Sequence, residues 1–226
     1  MNQLLYNPVY HALLSGDKHL CFGNEKVRFF DEDVSPFAGF DQDYEKGFSD
    51  LYELLPVGRK ILYASPSSLI QPAGWQITHE IKGLQFVYEA GPLIKTEFPD
   101  VKPLTEIHVE QMMHLAKLTK PGPFAKRTIN FGSYFGIFEN EKLVSMTGQR
   151  LHVHTYTEIS AVCTHPAYTG KGYAYTLMQH QLQLIFQKEQ KAFLHVRDNN
   201  ERAIALYQRL GFSISIPMNF YFMKRQ

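Results

Sequence analysis

The chain has 226 residues, enough for one large domain or two small ones with a substantial core. Its 23 lysines and arginines nearly balance 22 aspartates and glutamates, so there is no global basic field and nucleic acid is not expected as a partner. Two cysteines do not make a disulfide scaffold, and the sequence shows neither a signal peptide nor an apolar run of about 18 residues, so we expect a cytoplasmic protein without membrane contact.

The first 95 residues predict a small α/β domain. Asn7 and Pro8 are a good N-cap and first-turn pair for a short helix that ends at Gly16. Residues 31–40 are predicted to form a loop because they contain proline and glycine. The other predicted elements are a hairpin of residues 19–22 and 26–30, an amphipathic helix over 43–55, and strands over 60–64 and 84–89.

A proline-rich segment marks the predicted domain boundary. Residues 91–103 contain Pro92, Pro99 and Pro103, a composition typical of linkers. We therefore expect an N-terminal α/β domain over residues 1–95 and a second domain over residues 96–226. The N-terminal part contains no motif for catalysis or metal binding, so we expect it to pack on the second domain.

The second domain is predicted to be a mixed α/β unit. Thr105 is a good N-cap for a helix to about Leu118. Pro217 separates two predicted C-terminal strands, because proline has no N–H for a ladder. The complete order is strands over 134–138, 142–151 and 155–164, a helix from residue 173, a strand, a second helix, and strands over 213–216 and 218–223. The predicted fold class is α/β with a mixed sheet.

The segment 158–174 predicts a phosphate-binding turn between a strand and a helix. Pro166 ends the strand, Gly170 and Gly172 let the backbone curl close to a ligand, and helical spacing begins at Tyr173. The free N–H groups and the positive dipole at the helix start make an anion site. The loop matches neither a Walker loop nor a three-glycine dinucleotide fingerprint, so alone it is equally typical of an ordinary strand–helix turn.

A second motif follows the turn. It reads Asn200-x-x-Ala203-x-x-x-Tyr207-x-x-x-Gly211-Phe212 and resembles the end of the GNAT superfamily of acyl-CoA-dependent N-acyltransferases. The segment 169–174 resembles that superfamily's pyrophosphate loop at the expected distance upstream. Together the two motifs extend the resemblance over residues 104 to 226. Within it, residues 119–165 look like the subgroup that includes the C-terminal domain of glycine N-acyltransferase-like proteins.

The resemblance implies a binding site for acetyl-CoA as cosubstrate and no metal. Thr169 departs from the family, which usually has glutamine or arginine there, so the loop would bind phosphate through its backbone. Asn200 would touch the pantetheine chain, although capping its helix is a sufficient reason for it. The implied cofactor-binding residues are Val162, Cys163, Thr164, Thr169, Gly170, Lys171, Gly172, Tyr173, Ala174, Asn200 and Ala203.

Two residues are candidates for acid–base catalysis. Tyr207 matches the family's acid and would protonate the leaving thiolate; without the match it would be a core tyrosine. Glu158 occupies the place of the base in the histone acetyltransferase branch of the superfamily, and a strand-edge salt bridge is the alternative. Strand alternation places Glu158 on one face with Val162 and turns Cys163 away from it, into the core. The histidines at 152, 154, 165 and 195 are interpreted as structural.

Two hypotheses for function remain. The first is an N-acyltransferase that moves an acetyl group from acetyl-CoA to a primary amine of a small molecule or amino acid, by direct attack in a ternary complex. The second is a non-catalytic acyl-CoA-binding or protein-interaction module with the same fold. The presence of both Tyr207 and Glu158 favours the enzyme. We expect a monomer or homodimer, with residues 1–95 shaping the acceptor side.

Overall fold

A computed structural model describes residues 3–91 and 97–226. The helices are α1 (Pro8–Leu14), α2 (Gly47–Leu54), α3 (Val109–Thr119), α4 (Tyr173–Gln187) and α5 (Glu201–Leu210). The strands are β1 (Cys21–Gly23), β2 (Val27–Phe30), β3 (Ala38–Phe40), β4 (Lys60–Ser65), β5 (Trp75–Tyr88), β6 (Lys102–Pro103), β7 (Phe135–Glu139), β8 (Lys142–Val153), β9 (Tyr156–Thr164), β10 (Lys191–Arg197) and β11 (Phe212–Arg225).

The strands form two sheets. β1, β2 and β3 make a small antiparallel sheet, and the other eight make a mixed sheet in the order β4-β11-β5-β10-β9-β8-β7-β6. Among the described neighbours in the large sheet, only β9 and β10 pair in parallel, and the other pairs are antiparallel. The predicted mixed α/β fold with a mixed sheet is therefore confirmed.

The structure does not show a separate smaller N-terminal domain. β5 belongs to the first half of the chain, yet it lies between β10 and β11 and pairs with both. β4 is the edge strand beside β11. The first half therefore completes the sheet of the second half. The predicted boundary at residue 95 lies outside the described residues.

Three elements differ from the sequence prediction. β5 runs for 14 residues, much longer than the predicted 84–89. β3 forms within the predicted loop 31–40 because it pairs with β2. The C-terminal segment is one strand, β11, which continues through Pro217. β4 pairs with β11 only from Asn219 onward, so the missing N–H of Pro217 costs that edge no ladder bond.

The core consists of two main clusters with the large sheet between them. The larger cluster includes Leu13 of α1 and Leu115 of α3, and the second includes Leu182 of α4 and Leu210 of α5. Helices from the two halves of the chain therefore pack on the sheet. The strands β9 and β10 contribute residues to both clusters, and they carry the site described next.

Candidate active site

β9 and β10 separate in the middle of the large sheet. Their parallel pairing covers Tyr156, Thr157 and Glu158 of β9 and stops at Phe193 of β10. β9 nevertheless continues to Thr164 and β10 to Arg197. The second half of each strand therefore has an edge that faces a gap.

A β-bulge in β9 accompanies this separation. Met146 of β8 pairs with Cys163 and Gly148 with Ser160, so β9 has one extra residue in this interval. Ala161 takes a positive φ of 53° there. The periodicity that predicts these strands carries no signal for a bulge at an alanine.

The bulge changes which side chains share a face. Ala161 and Cys163 both belong to the larger core cluster, whereas Ile159 and Val162 contact the other one. Glu158 bonds to Arg150, whose guanidinium stacks on Phe37 of the larger cluster. The prediction that Glu158 shares a face with Val162 was therefore wrong, because simple alternation fails across an extra residue.

The bulge leaves backbone donors at the gap. The N–H of His165 donates to the carbonyl of Val144 on β8 at 2.8 Å. Bonding direction alternates along an antiparallel ladder, so the Cys163 amide points toward β8, and those of Val162 and Thr164 point toward the gap. Two N–H groups can thus bind a carbonyl or the amides of an extended ligand. The Cys163 thiol stays in the core, where burial raises its pKa to about 12.

The glycine loop ends directly at the start of α4. Gly170 and Gly172 have φ of 86° and 82°, and a Cβ added to either would meet nothing within 4 Å. Gly172 is the N-cap, and no side chain caps the helix. The first N–H groups of α4 have no intrahelical acceptor. This uncapped, open helix start fits a pyrophosphate, as the sequence predicts.

The remaining loop side chains turn toward protein partners. The Thr169 hydroxyl donates to the carbonyl of Pro166 at 3.0 Å, so this side chain is bonded within the turn. The Lys171 ammonium lies 3.7 Å from a carboxylate oxygen of Glu139 and 5.0 Å from the ring centre of Tyr168. Tyr173 donates to the same carboxylate, a hydrogen bond that raises its pKa to about 12.

A cavity of about 460 Å³ occupies the gap between β9 and β10. From β9 the bulge residues Ala161 and Val162 line it, and from α5 and its N-cap the lining residues are Asn200, Ala203 and Tyr207. The first half of the chain adds Phe37, Leu62 and Ile81. The cavity thus brings the bulge of β9 together with the second sequence motif, and residues from both halves of the chain line it.

Tyr207 is buried at the cavity wall. Its ring packs edge-on against Phe86 and Phe212, with 6.2 Å between ring centres in both pairs. Burial raises the pKa of its phenol, so the hydroxyl stays protonated and can act as a proton donor. The Asn200 side chain accepts from the N–H of Ala203 at 3.2 Å, so this residue is a helix cap as well as a lining residue.

Glu158 does not have the environment of a general base. Arg150 donates to both of its carboxylate oxygens at 2.8 Å, and His195 Nδ1 lies 2.8 Å from one of them. Burial acts to raise the pKa of Glu158, but the charge and hydrogen bonds of Arg150 and His195 lower it to about 2. It is also absent from the residues that line the cavity. The interpretation of Glu158 as the base is therefore replaced by that of a buried counterion.

His195 is a cavity residue that the sequence analysis interpreted as structural. The amide nitrogen of Gln85 donates to the carbonyl of Leu5 at 2.8 Å and lies 3.1 Å from His195 Nε2. The Gln85 atom beside the Leu5 carbonyl must be the amide NH2 group, because a carbonyl oxygen can only accept. The same NH2 group donates its second proton to His195 Nε2, so the ring proton sits on Nδ1, facing Glu158. Both ring nitrogens are thereby hydrogen-bonded, Nε2 to Gln85 and Nδ1 to Glu158. Only the fold could reveal this, because Leu5, Gln85, Glu158 and His195 are far apart in the sequence.

Comparison with known proteins supports the GNAT fold. Residues 134–221 match the family model described as FR47-like protein. A protein assigned to acetyltransferases of the GNAT family from Novosphingobium aromaticivorans is 27% identical over 100% of both chains, with a TM-score of 0.91. A GCN5-related N-acetyltransferase from Kribbella flavida is 14% identical over 98% of this chain and 96% of that one, with a TM-score of 0.63. A search of curated proteins found no match.

These similarities suggest acyl transfer from acetyl-CoA and do not identify an acceptor. They also do not confirm the subgroup of glycine N-acyltransferase-like proteins. In the part of the chain that the structure describes, no cluster of three or more histidine, cysteine, aspartate or glutamate side chains could hold a metal. Within the same residues, no helix is long and apolar enough to cross a membrane.

Proposed function

We propose that the protein transfers an acetyl group from acetyl-CoA to a primary amine of a small molecule or amino acid, by direct attack in a ternary complex. One observation carries the proposal: β9 and β10 separate at a bulge beside Tyr207, and β9 leads along the chain into the glycine loop and the uncapped start of α4. An extended thioester needs a phosphate site, an open strand edge and a proton donor. The gap supplies the strand edge and the proton donor, and the loop that follows β9 supplies the phosphate site.

Each residue has a defined task in this proposal. The first N–H groups of α4 bind the pyrophosphate, with Gly170 and Gly172 allowing close approach. The Val162 and Thr164 amides hold the pantetheine chain and the acyl carbonyl, whose oxygen gains negative charge when the amine attacks. Tyr207 then donates its proton to the departing thiolate as the C–S bond breaks. The proton that the attacking nitrogen loses on forming the amide passes through water to the tyrosinate, which restores the phenol.

The amine has to reach the carbonyl in its neutral form. The described residues that line the cavity include no aspartate or glutamate, and His195 is already bonded at both nitrogens. The proton of an incoming ammonium is therefore lost to water before attack. The rate should follow the neutral fraction of the acceptor, set by the pKa of the acceptor itself.

The alternative, a non-catalytic acyl-CoA-binding module, has one observation in its favour. Glu158, the candidate base, is held by Arg150 and His195 and does not line the cavity. An amine that is already neutral needs no base. The observation therefore counts against catalysis only for acceptors that reach the site protonated. The alternative predicts acetyl-CoA binding without thiol release.

The test measures free thiol from acetyl-CoA with a panel of primary amines. The expected result is amine-dependent thiol release together with an acetylated product of the expected mass. Binding of acetyl-CoA by calorimetry with no product from any amine would favour the binding module. No binding at all would overturn both readings of the gap.

A further inference from the structure

We propose that the cavity selects amines that carry a carboxylate beside an apolar side chain, that is, α-amino acids with aliphatic or aromatic side chains. This inference rests on the proposed function and adds the class of acceptor to it. Three features of the cavity support it: the sign of its charges, a fixed guanidinium at its wall, and a group of apolar residues in its lining.

The charged groups that line the cavity are all cationic. They are Lys120, Arg150 and Arg197, and no aspartate or glutamate accompanies them in the described part of the lining. Lys120 and Arg197 have no ion-pair partner among the described residues. An acceptor with a second ammonium would meet like charge there, whereas a carboxylate would meet opposite charge.

Arg150 is the best-placed of these cations. Its side chain is only 11% exposed, and Nε and Nη2 are bonded to Glu158. Its guanidinium lies 4.8 Å from the ring centre of Phe37, which fixes its plane. No partner for Nη1 is found in residues 3–91 and 97–226. A guanidinium held in one orientation with a spare N–H edge at a cavity wall is suited to a carboxylate.

The pair with Glu158 decides how this guanidinium acts. The neutral ion pair contributes little net field, so Arg150 serves through directed hydrogen bonds. The net positive charge of the cavity then comes from Lys120 and Arg197. Carboxylate recognition therefore has two parts: orientation by Arg150 and long-range attraction by the two exposed cations.

The apolar part of the cavity would hold the side chain. Its residues are Phe37, Leu62, Ile81, Phe220 and Phe222. Such a wall favours an aliphatic or aromatic group over a polar one by burial of apolar surface. It also disfavours polyamines and lysine side chains, whose second charge would lose water without gaining a counterion.

The first experiment compares acceptors that differ by one group. Leucine, leucinamide and 3-methylbutylamine share the side chain and the amine, and spermidine adds charge. We calculate kcat/KM from the concentration of the neutral amine at the assay pH. We expect this value to be at least about tenfold higher for leucine than for leucinamide. Equal values for leucine, its amide and 3-methylbutylamine, or a preference for spermidine, would overturn the inference and leave the proposed function standing. No thiol release with any amine would overturn the proposed function as well.

The second experiment changes the cations. Arg150→Lys keeps the charge and removes the fork, and we expect it to raise KM for leucine by about tenfold, provided that it folds. Lys120→Gln is on the surface and avoids the folding problem; we expect about a threefold rise in KM for leucine and none for leucinamide. Lys117→Gln is the matched control, since Lys117 is also exposed on α3 and does not line this cavity. A rise in KM for acetyl-CoA in place of leucine would assign Lys120 to the cosubstrate and overturn the inference.

Discussion

At the scale of single residues, Tyr207 is the group on which the proposed chemistry most depends. It is buried at the cavity wall and its pKa is raised by burial, so the phenol is protonated and can donate a hydrogen bond. The same desolvation raises the basicity of a departing thiolate, so the phenol stabilises the thiolate by a hydrogen bond as the C–S bond breaks and can pass it a proton. The packing of its ring against Phe86 and Phe212 fixes where the hydroxyl can reach.

Tyr207→Phe should lower kcat by a factor of about 100 or more, since it removes a proton donor and little else. The ring contacts remain, so the free energy of unfolding should change by less than about 1 kcal/mol. Calorimetry should give nearly unchanged affinity for acetyl-CoA. A variant that retains the wild-type kcat across pH 6 to 9 (buffer values) would show that another group protonates the thiolate.

Glu158→Gln should act on stability first. The change leaves the Arg150 guanidinium buried without its counterion, which costs about 3 kcal/mol in the free energy of unfolding. Asp31→Asn is the control: its pair with Arg127 is partly exposed and should cost less than about 1 kcal/mol. Urea unfolding of both variants measures the difference.

The stability effect of Glu158 should depend on pH in a defined direction. Its pKa in the folded protein is lowered to about 2, from an ordinary value of 4.5. A lowered pKa contributes stability that is fully present above the unfolded value and is lost as pH falls toward the folded value. The difference in the free energy of unfolding between wild type and Glu158→Gln should therefore shrink from pH 4.5 down to 2. A difference that stays constant over this window would mean that the negative charge of Glu158 does not stabilise the fold.

The sequence allowed Tyr207 and the glycines to be predicted because each belongs to a motif with fixed local spacing. It could not reveal the partners of Glu158. Arg150 and His195 approach it from β8 and β10, and their approach depends on strand register. The sequence around a carboxylate on a strand is the same whether the group acts as a base or as a counterion. Only its neighbours in the folded protein distinguish the two roles.

At the scale of elements, the loop and helix α4 form the most predictable part of the site. The change from strand to glycine turn to helical periodicity lies within one continuous segment, and the structure places α4 at Tyr173, the residue predicted. The bulge in β9 lies in the same segment and was not predictable. Ala161 is not a residue that favours positive φ, so its conformation is imposed by neighbouring strands.

Gly172→Glu should abolish CoA binding while leaving the fold intact. A side chain at this position enters the open space before α4 and brings a negative charge to the helix start. Positive φ also costs an L-residue about 1–2 kcal/mol. Gly58→Glu is a matched control, because Gly58 has a φ of 80°, a Cβ there would meet only the end of the Lys224 side chain at 4.0 Å, and it lies in the turn before the edge strand β4. Equal CoA affinity in both variants would contradict the assignment of the pyrophosphate site.

At the scale of the whole molecule, local patterns predicted the kinds of elements better than their assembly. Most helices and strands of residues 104–226 occur where periodicity and capping place them. The proline-rich segment suggested two domains, but a composition typical of linkers does not prevent strands on either side of it from joining one sheet. The insertion of β5 between β10 and β11 is a long-range pairing with no local sequence signal.

This insertion decides what a truncated chain can do. Residues 97–226 alone would retain α4, α5 and the glycine loop, but β10 and β11 would lose the strand that joins them. The fragment would also expose apolar residues that now contact the first half, among them Tyr207, which packs on Phe86, and Phe212, which packs on Tyr88. We expect residues 97–226 to be insoluble or unfolded when expressed alone, and the full chain to unfold in a single transition.

Co-expression of 1–91 with 97–226 tests the same point in the opposite direction. The two fragments should form a complex that binds CoA, because the pairings of β5 need no continuous chain between residues 91 and 97. Circular dichroism and calorimetry on the purified complex measure folding and CoA affinity. The contrary result is a soluble 97–226 fragment with a cooperative thermal transition and native CoA affinity. It would mean that β5 is an accessory strand and that the second half is a domain in its own right.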